Sequence, residues 1–305
     1  MPARKRKIRR LPLKEKKKRP YIINILIMLS FLGIFFYLSH GEKYWQDNKK
    51  ISILINGSDI DLVTLDPQAD EMTNIIIPGN TQVEVAEGRG VYLLKNVRKL
   101  GRQEKLDDNL LARTVTKHFK LPVYVWADAP AEGFVRGGGL ALLKAALIPY
   151  KTNMSASDKI KIALFSLSLK NTGRREINLT ESVVLKETRL EDGSEGFLLK
   201  SEIPASMKAI FANPDLNSRV YRVMITDRTG KAGYAEVVND IITVYGGKIV
   251  AINKEAQSKG ICELKGKDKK FLKVITEMLP CYFSTDIDSD FDLEIILGEK
   301  FVEHF

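Results

Sequence analysis

The run Tyr21 to Ser39, YIINILIMLSFLGIFFYLS, constrains this chain more than any other stretch. It carries no charged side chain, and a helix of its length rises about 28 Å, close to the roughly 30 Å hydrocarbon thickness of a bilayer. Ahead of it, residues 1–20 hold eleven Lys or Arg against the single Glu15. A basic block before an apolar run reads as one membrane span with its tail in the cytoplasm. A cleaved signal peptide would need a shorter apolar core and a small-residue exit, which LSHGEKYW supplies poorly. The expectation is a single-pass plasma-membrane protein held by a signal-anchor, with residues 1–20 cytoplasmic, 21–39 a transmembrane helix and the remainder extracytoplasmic. The lipid bilayer is then its first partner.

The charge distribution fits this division. The whole chain has 48 basic and 38 acidic residues, and removing the tail leaves 37 of each. The formal charge of +10 thus belongs to the tail. A nucleic-acid-binding body would carry its own basic surface, and this one is balanced, which argues against nucleic acid as a partner.

Beyond the span the chain is long enough for two domains. Residues 40–50 are a juxtamembrane segment, with Tyr44 and Trp45 either at the interface or starting the outer packing. From Ile51 to Leu65 the pattern is apolar and β-branched, one or two strands broken near Asn56-Gly57-Ser58. Met72 to Ile77 and Thr81 to Val85 read as further strands, bounded by Pro78-Gly79-Asn80 and by Gly88 and Gly90. Leu106, Leu110, Leu111, Val115 and Phe119 repeat at helical spacing, and Pro122 to Trp126 returns to strand character. Helices are expected from Leu140 to Ile148 and from Ala156 to Leu169, then strands over Glu176 to Glu187 and Ser194 to Ser201. Residues 204–218 are polar and irregular and serve as a linker. After it come a strand from Val220 to Thr226, a helix from Gly233 to Val244, a strand from Lys248 to Ile252, a helix from Lys267 to Leu279 and a last strand from Phe291 to Leu297. The fold class is therefore α/β, one N-terminal transmembrane helix followed by two α/β domains, residues 51–203 and 219–305.

With these elements placed, the chain resembles the LytR-CpsA-Psr family of bacterial envelope proteins, followed by the LytR C-terminal domain. LVTLDPQADEMTNIIIPGNTQVEV resembles the strand, DP turn and strand that lead into the family's SIPRD motif. LLARTVTKHFKLPVYVWAD is similar to the helix and strand that follow, and TNMSASDKIKIALFSL to a later helical region. VMITDRTGKAGYAEVVNDIITVYGGKIV resembles the opening of the C-terminal domain, with Thr229 and Gly230 on its TG. The resemblance implies transfer of polyprenyl-pyrophosphate-linked glycans to the cell wall, with arginines, aspartates and Mg²⁺ holding the diphosphate. The chain departs from the motif at Gly79-Asn80, where the family carries Arg-Asp.

Candidate groups follow from the residues. Asp59 and Asp61, two apart on a strand, share a face and can ligate a hard cation or act as the catalytic carboxylates of an enzyme. A solvated strand end explains them as well. Arg89, Arg98, Arg102 and Arg113 can line a phosphate-binding cleft or lie scattered on the surface. Cys262 and Cys281, the only cysteines, either form a disulfide in an oxidising compartment or remain two buried thiols. The three histidines do not cluster, and no zinc spacing or Ser-His-Asp pattern occurs. The preferred function is a non-catalytic binding or scaffolding protein of the cell envelope. It needs no cofactor, and its partner is a cell-wall glycan, a polyprenyl-linked ligand or another envelope protein. The alternatives are a divergent phosphotransferase, the one reading that calls for Mg²⁺, and a purely structural envelope protein.

Overall fold

The computed structural model describes residues 24, 25, 28, 43–106, 108–284 and 289–305. Three strands, β1 (Ile51–Asn56), β2 (Ile60–Asp66) and β3 (Glu71–Ile77), form an antiparallel meander. Gly57-Ser58-Asp59 turns the first corner, so the apolar run 51–65 becomes two strands rather than one. At the second corner, Asp66 Oδ1 accepts from the backbone N–H of Gln68 and of Ala69. Two short strands follow, β4 (Gln82–Glu84) and β5 (Val91–Leu93), and they run into helix α1 (Leu94–Gln103). Helix α2 (Leu110–Phe119) precedes β6 (Val125–Asp128), which pairs parallel with β1. The chain then passes through the short helix α3 (Gly133–Arg136), α4 (Gly139–Leu147) and α5 (Ala156–Ser168) to β7 (Arg174–Asn178). Strand β7 lies parallel to β3, which gives the sheet order β6-β1-β2-β3-β7. A separate hairpin, β8 (Leu185–Arg189) with β9 (Glu195–Leu199), completes this half.

Both faces of this sheet are apolar, so both must be covered. Leu54, Ile60, Leu62, Ile75 and Ile77 pack under Leu94 and Val97 of α1 and Leu111 and Val115 of α2. On the other face Ile51, Ile53, Ile55, Val63 and Leu65 meet Phe134 of α3, Leu142 of α4 and Ile162 of α5. Truncating one of these buried isoleucines to alanine would cost about 2–5 kcal/mol.

The segment leading into β1 is pinned from α5. Ser155 caps that helix through its hydroxyl, and the Asp158 carboxylate accepts from the N–H of Ser155 in return. The same carboxylate accepts from the backbone N–H of Tyr44 at 3.0 Å and of Trp45 at 3.1 Å. The Trp45 ring lies 5.3 Å from that of Phe165 on α5.

The second sheet is built from β10 (Arg222–Asp227), β11 (Lys248–Lys254), β12 (Cys262–Gly266), β13 (Tyr282–Phe283) and β14 (Leu293–Leu297). Its order is β11-β10-β14-β12-β13, with β10 parallel to both of its neighbours. Helix α6 (Tyr234–Tyr245) connects β10 to β11, and α7 (Lys269–Met278) connects β12 to β13. Gly246 stops α6 in the left-handed region at φ 113°, where a side chain would be strained. Asp268 caps α7 by accepting from the N–H of Lys270 and of Phe271. The core of this sheet is continuous with the first through Tyr124, Tyr245 and Phe271. Residues 41–305 form one compact unit. Residues 204–218, expected to be irregular, contain two short helices, Ala205–Lys208 and Pro214–Arg219.

The α/β layering holds, and the fold class is corrected to what the described residues show, α/β layers with no membrane-spanning helix among them. Among the described residues no helix is long and apolar enough to cross a membrane. The longest of them, α5 with 13 residues, rises only about 20 Å. The signal-anchor and the single-pass plasma-membrane localisation expected over 21–39 are corrected in the same sense, since no described helix carries them. Those residues, apart from Asn24, Ile25 and Met28, and the basic tail 1–20 lie outside the described ones.

Cys262 at the start of β12 and Cys281 just before β13 form a disulfide with a Cα separation of 4.4 Å. Mass spectrometry of unreduced peptides should recover the linked pair. Replacing both cysteines by serine should lower the unfolding free energy by about 3 kcal/mol, read as a lower denaturant midpoint with unchanged slope.

Candidate functional site

The C-terminal ends of β1, β3 and β6 and the start of β2 lie at one end of the first sheet, and the candidate residues collect there. In the β1–β2 turn the Asp59 carboxylate accepts from the N–H of Gly79 at 2.9 Å. This ties the turn to the Pro78-Gly79-Asn80 corner that follows β3. The corner is crowded. A Cβ at position 79 would lie 2.1 Å from the Ser58 carbonyl oxygen and 3.1 Å from the Lys95 Cβ. Asn80 accepts at its carbonyl from the N–H of Phe197 and donates its side-chain amide to the Glu195 carbonyl, so it holds the β9 strand. The two positions where the family motif carries Arg-Asp are thus a tight backbone contact and a strand anchor.

Asp61 is 2% exposed and faces the α3–α5 side of the sheet. Its Oδ1 accepts from the Asn74 amide at 2.9 Å and from the Arg136 guanidinium. Burial pushes its carboxyl above the ordinary 3.8, against the lowering effects of Asn74 and Arg136. Arg136 comes from the end of α3 and is 45% exposed. Asp59 and Asp61 therefore turn to different partners, one to a backbone amide and one to an arginine. Such a pair does not fit a shared Mg²⁺: Oδ1 of Asp61 already answers a cation, and its burial favours the proton. Among the described residues no three His, Cys, Asp or Glu are placed to hold a metal ion.

On the other side of the sheet, two of the four expected arginines meet. Arg98 and Arg102 stand four apart on α1, so they share a stripe, and Asp128 at the end of β6 accepts from both. Arg98 is 6% exposed and donates Nη1 to the Asp108 carbonyl and carboxylate at 2.6 and 2.8 Å. Its guanidinium carbon lies 4.6 Å from the centre of the Trp126 ring, a cation–π contact in a partly desolvated site. Lys151 approaches both Asp108 carboxylate oxygens at 3.3 Å. Nη2 of Arg98 has no partner among the described residues. The space beside this cluster is about 10 Å³, room for about one water and far too little for a diphosphate. The other two arginines go elsewhere, Arg89 to Glu104 at 3.1 Å and Arg113 to Glu87 at 3.3 Å.

Sequence reasoning missed Arg136, Asp108, Asp128 and Lys151. Asp108 lies inside the run read as helical from Leu106, but α2 begins two residues later, at Leu110. The alternation of Trp126 with Asp128 in β6 was the available signal for a shared face. No spacing rule links position 136 to position 61.

No family model and no curated protein matches the chain. Solved structures do. A TagT structure from Bacillus subtilis is similar over 52% of this chain and 88% of its own, with 15% identity and a TM-score of 0.38. A LytR-CPS2A-psr family protein, YwtF (TagT) with bound octaprenyl pyrophosphate lipid, covers 52% of this chain and 87% of its own at 17% identity, TM-score 0.37. Lin1025 from Listeria innocua covers 53% of this chain and 95% of its own at 13% identity, TM-score 0.36. The chain is thus similar to members of the LytR-CpsA-Psr family, the family its motifs resemble.

Two measurements check the site. Arg98→Ala leaves Asp108 and Asp128 without their shared cation and should cost about 3 kcal/mol of stability, which Arg98→Lys should not restore, because a single ammonium cannot span the fork. Asp61 binds its proton more tightly in the folded chain than in the unfolded one. Its contribution to stability is therefore full below 3.8 and lost as pH rises through the raised value. Unfolding midpoints of Asp61→Asn should lack this loss. A midpoint difference between the two proteins that stays constant as pH rises from below 3.8 would contradict the assignment.

Proposed function

We propose that this protein handles a phosphate-bearing glycopolymer of the bacterial cell envelope, or its polyprenyl-pyrophosphate-linked form, and binds it without transferring it. The ligand class is supported by the motif resemblance, since a structure similar to half of this chain holds an octaprenyl pyrophosphate lipid. Binding without transfer rests on one observation: the Ser58 carbonyl occupies the place of the first side-chain carbon that an arginine at position 79 would need. Transfer from a diphosphate requires several cations on the leaving oxygens as charge develops. An arginine at this corner would supply two parallel donors, and Gly79 supplies none from a side chain.

A second reading, a divergent phosphotransferase, is favoured by Arg136 reaching Asp61 from outside the motif. The experiment incubates the full-length protein with octaprenyl pyrophosphate, with and without Mg²⁺, and follows bound lipid and released phosphate. Saturable binding with no release is expected in both conditions. Metal-dependent release that disappears in Asp61→Ala and Arg136→Ala would establish the second reading instead. Absence of binding to this lipid and to an isolated envelope glycopolymer would overturn both. Gly79→Arg should give no activity and should destabilise the fold by about 1–3 kcal/mol or more, because Ser58 must move to admit it.

A further inference from the structure

A cavity of about 600 Å³ lies away from the sheet end, between the segment leading into β1 and helix α7. That volume falls within the usual range for sites holding small or extended ligands. Five lysines line it: Lys43, Lys49 and Lys50 from the leading segment, and Lys270 and Lys273 from α7. Asp268 is the one carboxylate in the lining, and it is engaged in capping α7. Lys49 pairs with Asp215 and Lys50 with Asp66. Lys43 and Lys270 are exposed and form no ion pair among the described residues.

The floor is aromatic. Tyr44, Tyr124, Tyr245 and Phe271 form a row with ring centroids 6.2, 5.7 and 5.8 Å apart. Burial raises the Tyr124 and Tyr245 hydroxyls above the ordinary tyrosine value. The lining also holds the amides of Gln46 and Asn213 and the apolar side chains of Trp45, Leu216 and Val274. A cationic rim, a neutral hydrogen-bonding wall and an aromatic floor suit a ligand that alternates negative groups with hydroxyl-rich, partly apolar rings. A bare polyanion would use the rim alone, and a neutral sugar chain would leave Lys43 and Lys270 uncompensated.

We infer that this cleft is the binding site for an anionic glycan chain, its charges supplied by phosphodiesters or by sugar carboxylates. The inference rests on the glycopolymer reading above and gives it a place: the lysines of α7 and of the leading segment meet the charges, and Tyr44 meets the rings. It separates the polymer-binding surface from the arginine cluster of α1, which is closed.

The test measures binding of the full-length protein to poly(glycerol phosphate), polygalacturonate, inorganic polyphosphate and an uncharged dextran. The proteins compared are the wild type, Lys43→Glu/Lys270→Glu/Lys273→Glu and Tyr44→Ala. The triple variant should bind the anionic glycan about tenfold more weakly or worse, as expected when three rim contacts change sign, while its melting temperature stays close to wild type. Preference for poly(glycerol phosphate) assigns the phosphodiester source, and preference for polygalacturonate the carboxylate source. Tyr44→Ala should weaken the glycan and leave polyphosphate unchanged. If the triple variant destabilises the fold, Lys43→Gln/Lys270→Gln/Lys273→Gln is read instead and should weaken binding in the same direction. Undiminished glycan binding in a folded triple variant would overturn the cleft while leaving the glycopolymer reading intact. Wild-type binding to polyphosphate with none to either anionic glycan would overturn both.

Discussion

Strand β1 buries both of its faces, and that single constraint organises the first half of the molecule. Ile51, Ile53 and Ile55 point one way and Leu54 the other, each nearly sealed from solvent. A strand of this kind has no solvent side, so the sheet needs a layer on each face. The chain meets the demand in order. Helices α1 and α2 come first and cover the Leu54 side, and α3 to α5 follow and cover the isoleucines. Because β6 must then reach the free edge of β1 after a helical crossover, it pairs parallel, and its C-terminal Asp128 arrives beside α1. The arginine cluster is a consequence of that connection.

Much of this was legible in the sequence and some was not, for physical reasons that differ by element. The strands at 71–77, 222–227 and 293–297 and the helices at 139–147, 156–168 and 234–245 announce themselves through alternation, helical period and glycine or proline stops. Helix α1 escaped because LKNVRKLGRQ has only Leu94, Val97 and Leu100 on its apolar side and charges around them. Strand β12, CELKG, escaped because it is short and only Cys262 and Leu264 mark its apolar face. Residues 176–187 read as one strand but are two, separated by a turn in which Asn178 accepts from Thr180. Local pattern carries no information about that kind of bend.

The site residues follow the same rule. Arg98 and Arg102 could be grouped from spacing alone, since four residues are one turn. Their partner Asp128 and the exposed Arg136 depend on tertiary placement. The Gly79 corner is more instructive. Sequence shows that an arginine and an aspartate are missing from a motif. The Ser58 carbonyl and the Asn80 bonds to β9 show that the corner now has other duties. Charge at this end of the sheet has been drawn into pairs that satisfy one another, while Lys43 and Lys270 of the cleft remain exposed.

The Asp158 carboxylate, which receives the backbone of Tyr44 and Trp45 while capping α5, also sets how the molecule bears mechanical load. Tension applied along the chain ahead of residue 43 reaches this carboxylate before it reaches β1. It meets two charge-assisted bonds from neighbouring amides and a tryptophan wedged against Phe165. Those contacts would yield first and free only the few residues before Ile51. The hydrogen-bond ladder of β1, held on both sides by β2 and β6, would still be intact when they did. A pull on the chain is thus met at a short peptide anchored to α5 before it reaches the strand whose register orders the sheet.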